Sequence, residues 1–104
     1  MAEHIMAVTT TADEESAVAL ARELVERRIV ACVNILPRVR SLYRWKGAIE
    51  DDVECVLLMK TCAARYEALA SAIDELHAYE VPELIVLPIE RGSAAYLGWI
   101  GDST

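Results

Sequence analysis

Apolar and polar residues alternate with period two through the middle of the chain, from Ala31 to Thr61. On the first half of that stretch Val39, Tyr43 and Trp45 share one parity, with Ser41 between them, while Arg38, Arg40 and Arg44 share the other with Leu42. Successive strand side chains point to opposite faces, so the alternation predicts an extended arm. On the return, Val53, Cys55, Leu57 and Met59 alternate with Glu54, Val56, Leu58 and Lys60. Both parities turn apolar in the middle, as in a strand covered on its two faces. Lys46-Gly47 separates the arms, and glycine supplies the positive φ of a tight hairpin turn.

The arm from Cys32 to Trp45 would span about 45 Å as an unbroken strand at ~3.3 Å per residue. A domain of this size has a diameter of roughly 34 Å, so the hairpin should overhang its own body. Its outer part carries Tyr43, Trp45 and Ile49, side chains that rarely sit on a bare protrusion. Two outcomes follow: the tip packs on a neighbouring subunit, which is the expectation preferred here, or the arm bends at Pro37 and folds back.

The flanks read as one unit on each side. Glu3–Thr10 is a short buried strand by its Ile5-Met6-Ala7-Val8 core. Thr11 and Glu14 form an S/T-x-x-E capping box, and Ala17, Leu20, Ala21, Leu24 and Val25 recur at helical spacing, predicting a helix from about Ala12 to Arg28. A second helix opens at Thr61 or Cys62 and carries Tyr66, Leu69, Ile73 and Leu76 on one stripe, with His77 in its last turn. Pro82 marks an extended connector, Leu84–Ile89 an apolar strand kept to an edge by Pro88, and Ser93 the N-cap of a short closing helix with Tyr96, Leu97 and Ile100.

Strand, helix, hairpin, helix, strand is the order of a ferredoxin-like split βαβ sandwich of α+β class, an antiparallel sheet with helices on one face. The second face is then left apolar and uncovered. Burial against copies of the same chain in a closed ring is the economical solution.

Composition narrows the function. The 104 residues make one domain, and at 55% hydrophobic the chain carries ample core. A formal net charge of −7 argues against nucleic acid or an anionic membrane as the main partner. No apolar stretch approaches membrane length and the amino terminus lacks a signal pattern, so a cytoplasmic location is expected. The three cysteines, Cys32, Cys55 and Cys62, have no CxxC spacing and read as reduced core fillers.

Four blocks carry a resemblance: Ala31-Cys32-Val33-Asn34-Ile35-Leu36-Pro37, Ser41-Leu42-Tyr43-Arg44-Trp45-Lys46-Gly47, Leu58-Met59-Lys60-Thr61, and His77-Ala78-Tyr79-Glu80-Val81-Pro82-Glu83. In order and spacing they resemble the CutA divalent-cation-tolerance proteins. The resemblance implies a ferredoxin-like subunit in a tight homotrimer similar to the PII signalling proteins, and a link to copper and other divalent ions. It also implies Cys32 and His77 as metal candidates, and Lys60, Tyr79 and Glu83 around a cavity between subunits with Trp45 at the hairpin tip. Two positions depart from the family: Thr9 stands where certain members have a cysteine ligand, and Ala78 replaces a proline.

The chemistry available is thin for a closed metal site. His4, His77 and the cysteines offer copper donors, but no HxxxH or CxxC pair places two together. His77 also has a plainer role, as a cation favoured at a helix C-terminus. No G-x-S-x-G, P-loop or paired-histidine signature supports an enzyme. The rival to cation binding is a PII-like sensor, with a metabolite or partner protein in an intersubunit cleft formed by Lys60, Tyr79, Glu83 and Trp45. Alternatively, Lys60 and Glu83 form an ion pair between subunits and Tyr79 only packs.

Overall fold

The structure is a computed structural model that describes residues 3–104. Its elements are β1 (His4–Thr11), α1 (Glu14–Glu26), β2 (Cys32–Trp45), β3 (Ala48–Cys62), a single 3-10 turn (Ala63–Arg65), α2 (Tyr66–Leu76), β4 (Ile85–Pro88) and α3 (Ala94–Asp102). The four strands form one antiparallel sheet in the order β2-β3-β1-β4. Each helical crossover therefore skips one strand, which is the split βαβ arrangement the element order predicts.

Parity decides what is buried. Ala7 of β1 and Cys55, Leu57 and Met59 of β3 point to the helices, where they join Leu20 and Leu24 of α1 and Leu69 and Ile73 of α2 in one core. Thr9 belongs to the same buried parity, and its hydroxyl has no hydrogen-bond partner. A buried hydroxyl left unpaired loses its hydration for nothing. Thr9→Val should raise the urea midpoint, by about 1 kcal/mol of stability; a lowered midpoint would mean that the hydroxyl is paired in solution.

The opposite parity is uncovered by α1 and α2. Met6, Val8, Val56 and Leu58 lie there partly exposed, and on β4 Ile85 and Leu87 are 54% and 44% exposed. The connector after α2 lies over the hairpin end of this face, where Tyr79 reaches Glu54, and the other end is covered by the closing helix. There α3 places the Tyr96 hydroxyl 3.8 Å from Cys32 Sγ and the Thr104 hydroxyl 3.4 Å from Cys62 Sγ. Cys55 is the buried cysteine of the three, while Cys32 and Cys62 are partly exposed, and all three are free thiols.

The turn at Lys46-Gly47 has φ of 49° and 82°, the double left-handed geometry that continues strand twist through a two-residue hairpin. The molecule measures 44 × 25 × 23 Å, its long dimension matching the expected length of the arm. The arm also bends at Pro37. Register shifts between Leu36, opposite Val56, and Val39, opposite Glu54, with Arg38 at φ 59°. At that bulge the parity of β2 inverts, so Val39, Ser41, Tyr43 and Trp45 continue the face begun by Cys32 and Asn34.

Two boundaries differ from expectation. The N-cap of α1 is Asp13, whose carboxylate accepts from Ser16 N at 2.8 Å, while Thr11 remains in β1 and donates to the Asp13 carbonyl. Pairing with β3 holds Thr11 extended opposite Cys55, so the predicted capping box does not form. Sheet pairing likewise extends β3 to Cys62, displacing the start of α2 to Tyr66.

Candidate functional site

A cavity of about 500 Å³ lies between the outer hairpin and the connector that follows α2. The hairpin supplies Ser41, Tyr43, Trp45 and Glu54, the connector supplies Tyr79, Val81 and Glu83, and Thr10 closes the inner end. Three of the four residues expected around an intersubunit cleft, Trp45, Tyr79 and Glu83, thus meet within one chain. Lys60 does not join them. It stands opposite Cys32 in the sheet and donates to Asn34 Oδ1 at 2.5 Å. Six residues of β3 separate it from Glu54, about 20 Å at ~3.3 Å per residue.

Glu54 and Tyr43 complete the cavity, although the sequence reading assigned neither of them to a site. Tyr79 donates its hydroxyl to Glu54 Oε2 at 2.6 Å, and Tyr43 donates to Asp52 Oδ2 at 2.5 Å. Both phenols hold their protons above the usual tyrosine range. For Tyr79 the first cause is burial, followed by the bond to Glu54 and its charge; for Tyr43 it is the bond to Asp52, and the value is pushed up to about 12.

This arrangement has a pH signature. Because the folded state holds these protons more tightly than the unfolded chain, the stabilisation is complete below pH ~10 and is lost as pH rises through about 12. Absorbance at 295 nm should show the native protein ionising later than the urea-unfolded chain. The double variant Tyr43→Phe, Tyr79→Phe should abolish the lag, and coincident native and unfolded curves would contradict the assignment.

His77 is the C-cap of α2 but not a solvated cation there, as a dipole-stabilised cap would be. Its backbone turns extended, and the ring swings to the end of β1, where Nε2 lies 2.6 Å from the Thr10 carbonyl. A carbonyl oxygen only accepts, so Nε2 carries the proton, and Nδ1 accepts from the Tyr79 backbone N–H at 3.1 Å. Both nitrogens are engaged. The ring thereby fixes the start of the connector and stacks obliquely on Tyr79, with centroids 4.8 Å apart.

Cys32 lies elsewhere. It pairs with Lys60, whereas Thr10, the partner of His77, pairs with Val56; those positions are four residues apart along β3, about 13 Å at ~3.3 Å per residue. Among the described residues no three His, Cys, Asp or Glu side chains converge as a metal cluster. Within one chain Cys32 and His77 are not brought together. Thr9 is buried toward the helices.

The profile of the CutA1 divalent ion tolerance protein family matches residues 5–103. The chain belongs to the CutA1 family. Among curated relatives it is 45% identical over 96 residues to a CutA homolog of Xenopus laevis, covering 92% of this chain and 64% of that one. It is 43% identical over 95 residues to the divalent-cation tolerance protein CutA of Thermus thermophilus, covering 91% and 92%. It spans 55% of the length of the mouse and human CutA proteins. The CutA1 crystal structure from Oryza sativa superposes with a TM-score of 0.96 at 36% identity, over 99% of this chain and 94% of that one. No helix among the described residues is long and apolar enough to cross a membrane.

Proposed function

We propose that this chain acts in divalent-cation tolerance as a cytosolic homotrimer, working by ligand binding at the hairpin–connector cavity rather than by catalysis or storage of metal. The observation that carries the reading is the apolar face of the sheet opposite α1 and α2, where Met6, Val8, Val56, Leu58, Ile85 and Leu87 lie side by side without a cover. Soluble single chains rarely present so continuous an apolar surface. The short edge strand β4 adds unpaired backbone beside it, a second reason for association. The number three comes from the resemblance to the trimeric architecture, and the tolerance role from the names of the bacterial relatives.

Copper enters this reading as a weak ligand of the acidic surface. With both ring nitrogens of His77 hydrogen-bonded, coordination there would have to break the anchor of the connector. Native mass spectrometry tests both parts: the purified chain should appear at three copies, and copper(II) retained per chain should be unchanged in Cys32→Ser and His77→Ala. A monomer at micromolar concentration would overturn the assembly. Loss of one copper per chain in either variant would restore that residue as a ligand.

A further inference from the structure

We propose that the hairpin–connector cavity binds a small organic ammonium compound, an amine or quaternary ammonium bearing apolar groups. This rests on the reading of that cavity as the ligand cleft and names what the cleft takes.

The first argument is the balance of charge. Glu54 and Glu83 line the cavity, and Asp52 accepts the hydroxyl of the lining Tyr43. Among the described residues Arg40 is the one basic residue in the lining, and its guanidinium is committed to Asp51 through two hydrogen bonds of 2.9 and 2.7 Å. Glu54 is only 8% exposed yet has no basic partner among the described residues, where its one side-chain hydrogen bond comes from the neutral Tyr79 phenol. A carboxylate so enclosed gains from a cation delivered beside it.

Donor chemistry points the same way. Both tyrosine hydroxyls spend their protons on carboxylates, so what faces the cavity from these groups is acceptor oxygen. An anion would find no donor among them.

The walls then select an organic cation over an inorganic one. Trp45, Tyr43 and Tyr79 present aromatic surface, which attracts ammonium groups through the ring quadrupole. The chain already uses this: Lys46 holds its ammonium 5.6 Å from the Trp45 ring centroid and 3.5 Å from Glu80. A volume of about 500 Å³ accommodates a small molecule, and the carboxylates do not converge as a metal-ligating triad.

The test titrates the full chain with choline and with 3,3-dimethyl-1-butanol, its uncharged isostere, followed by calorimetry and by Trp45 fluorescence in a Trp99→Phe background. Inorganic phosphate and magnesium are run as anionic and metal probes. Choline should bind saturably, and at least about tenfold tighter than the isostere, the effect of one charge-assisted contact. Glu54→Gln, which keeps an acceptor for Tyr79, should weaken choline about tenfold. The exposed Glu83→Gln tests the charge without disturbing packing and should weaken it severalfold.

Equal binding of choline and its isostere, preference for phosphate or magnesium, or no saturable choline binding would each overturn the proposal. The last would mean that a neighbouring subunit's side chains fill the cavity. Subunit number is read separately on unliganded protein. A monomer that discriminates for choline would overturn the trimer alone, and a trimer indifferent to choline would overturn the ammonium site alone.

Discussion

Leu58→Glu is expected to yield a folded monomer. Leu58 sits in the middle of β3, between Val8 on β1 and Asn34 on β2, on the face that α1 and α2 leave open. In a single chain its side chain is only partly buried, so a glutamate there remains hydrated and the helix-side core is untouched. Between subunits the same carboxylate would be enclosed without a partner, at a cost of several kcal/mol. A closed ring repeats that cost at every copy. Native mass spectrometry should give a single-chain mass, with circular dichroism keeping its helix and sheet signals. A trimer of normal heat resistance would show that the open face is not the interface.

Leu57→Ala, one residue away, should do the reverse. Leu57 is fully buried against the helices, paired with Thr9 and Ile35 in the central strand. Truncating a leucine in such a site removes its transfer energy and leaves a cavity, about 3 kcal/mol in all. For a domain of this length that corresponds to a fall in Tm on the order of 10 °C or more. The apolar open face is unchanged, so the subunit count should be too. The two substitutions separate folding from assembly by the parity of adjacent residues, and a Leu57→Ala protein as heat-resistant as the parent would contradict the core assignment.

Parity is also why so much of the fold was legible beforehand. Alternation in β2 and β3, glycine at the turn, and three- and four-residue spacing in the helices are local signals, and the elements they predict are all present in that order. Local signals fail where pairing overrides them. Thr11 has the residues of a capping box but is held extended by Cys55, so the cap passes to Asp13. Lys60 follows the leucine-rich part of β3, and only the sheet register shows that it lies far from Tyr79 and Glu83.

The cavity was half legible for a related reason. Trp45, Tyr79 and Glu83 stood out through the family resemblance, whereas Glu54 looked like an ordinary alternating carboxylate. Its signal was present as the one acidic residue in the otherwise apolar run from Val53 to Met59. Pro37 marked a bend in the sequence, but nothing there showed that the bulge at Pro37-Arg38 inverts parity and turns Tyr43 and Trp45 onto the same side as Glu54. A two-residue irregularity thus decides which side chains meet.

The outermost tie across this site is the contact of Lys46 with Glu80, in which both side chains are about 70% exposed. Dissolved electrolyte screens an exposed pair of that kind once the Debye length falls to about its 3.5 Å separation, at roughly 1 M salt, whereas the deeper bond from Tyr79 to Glu54 is better shielded. The entrance should therefore widen in concentrated salt while its floor stays fixed, making access to the interior a function of the ionic medium around it.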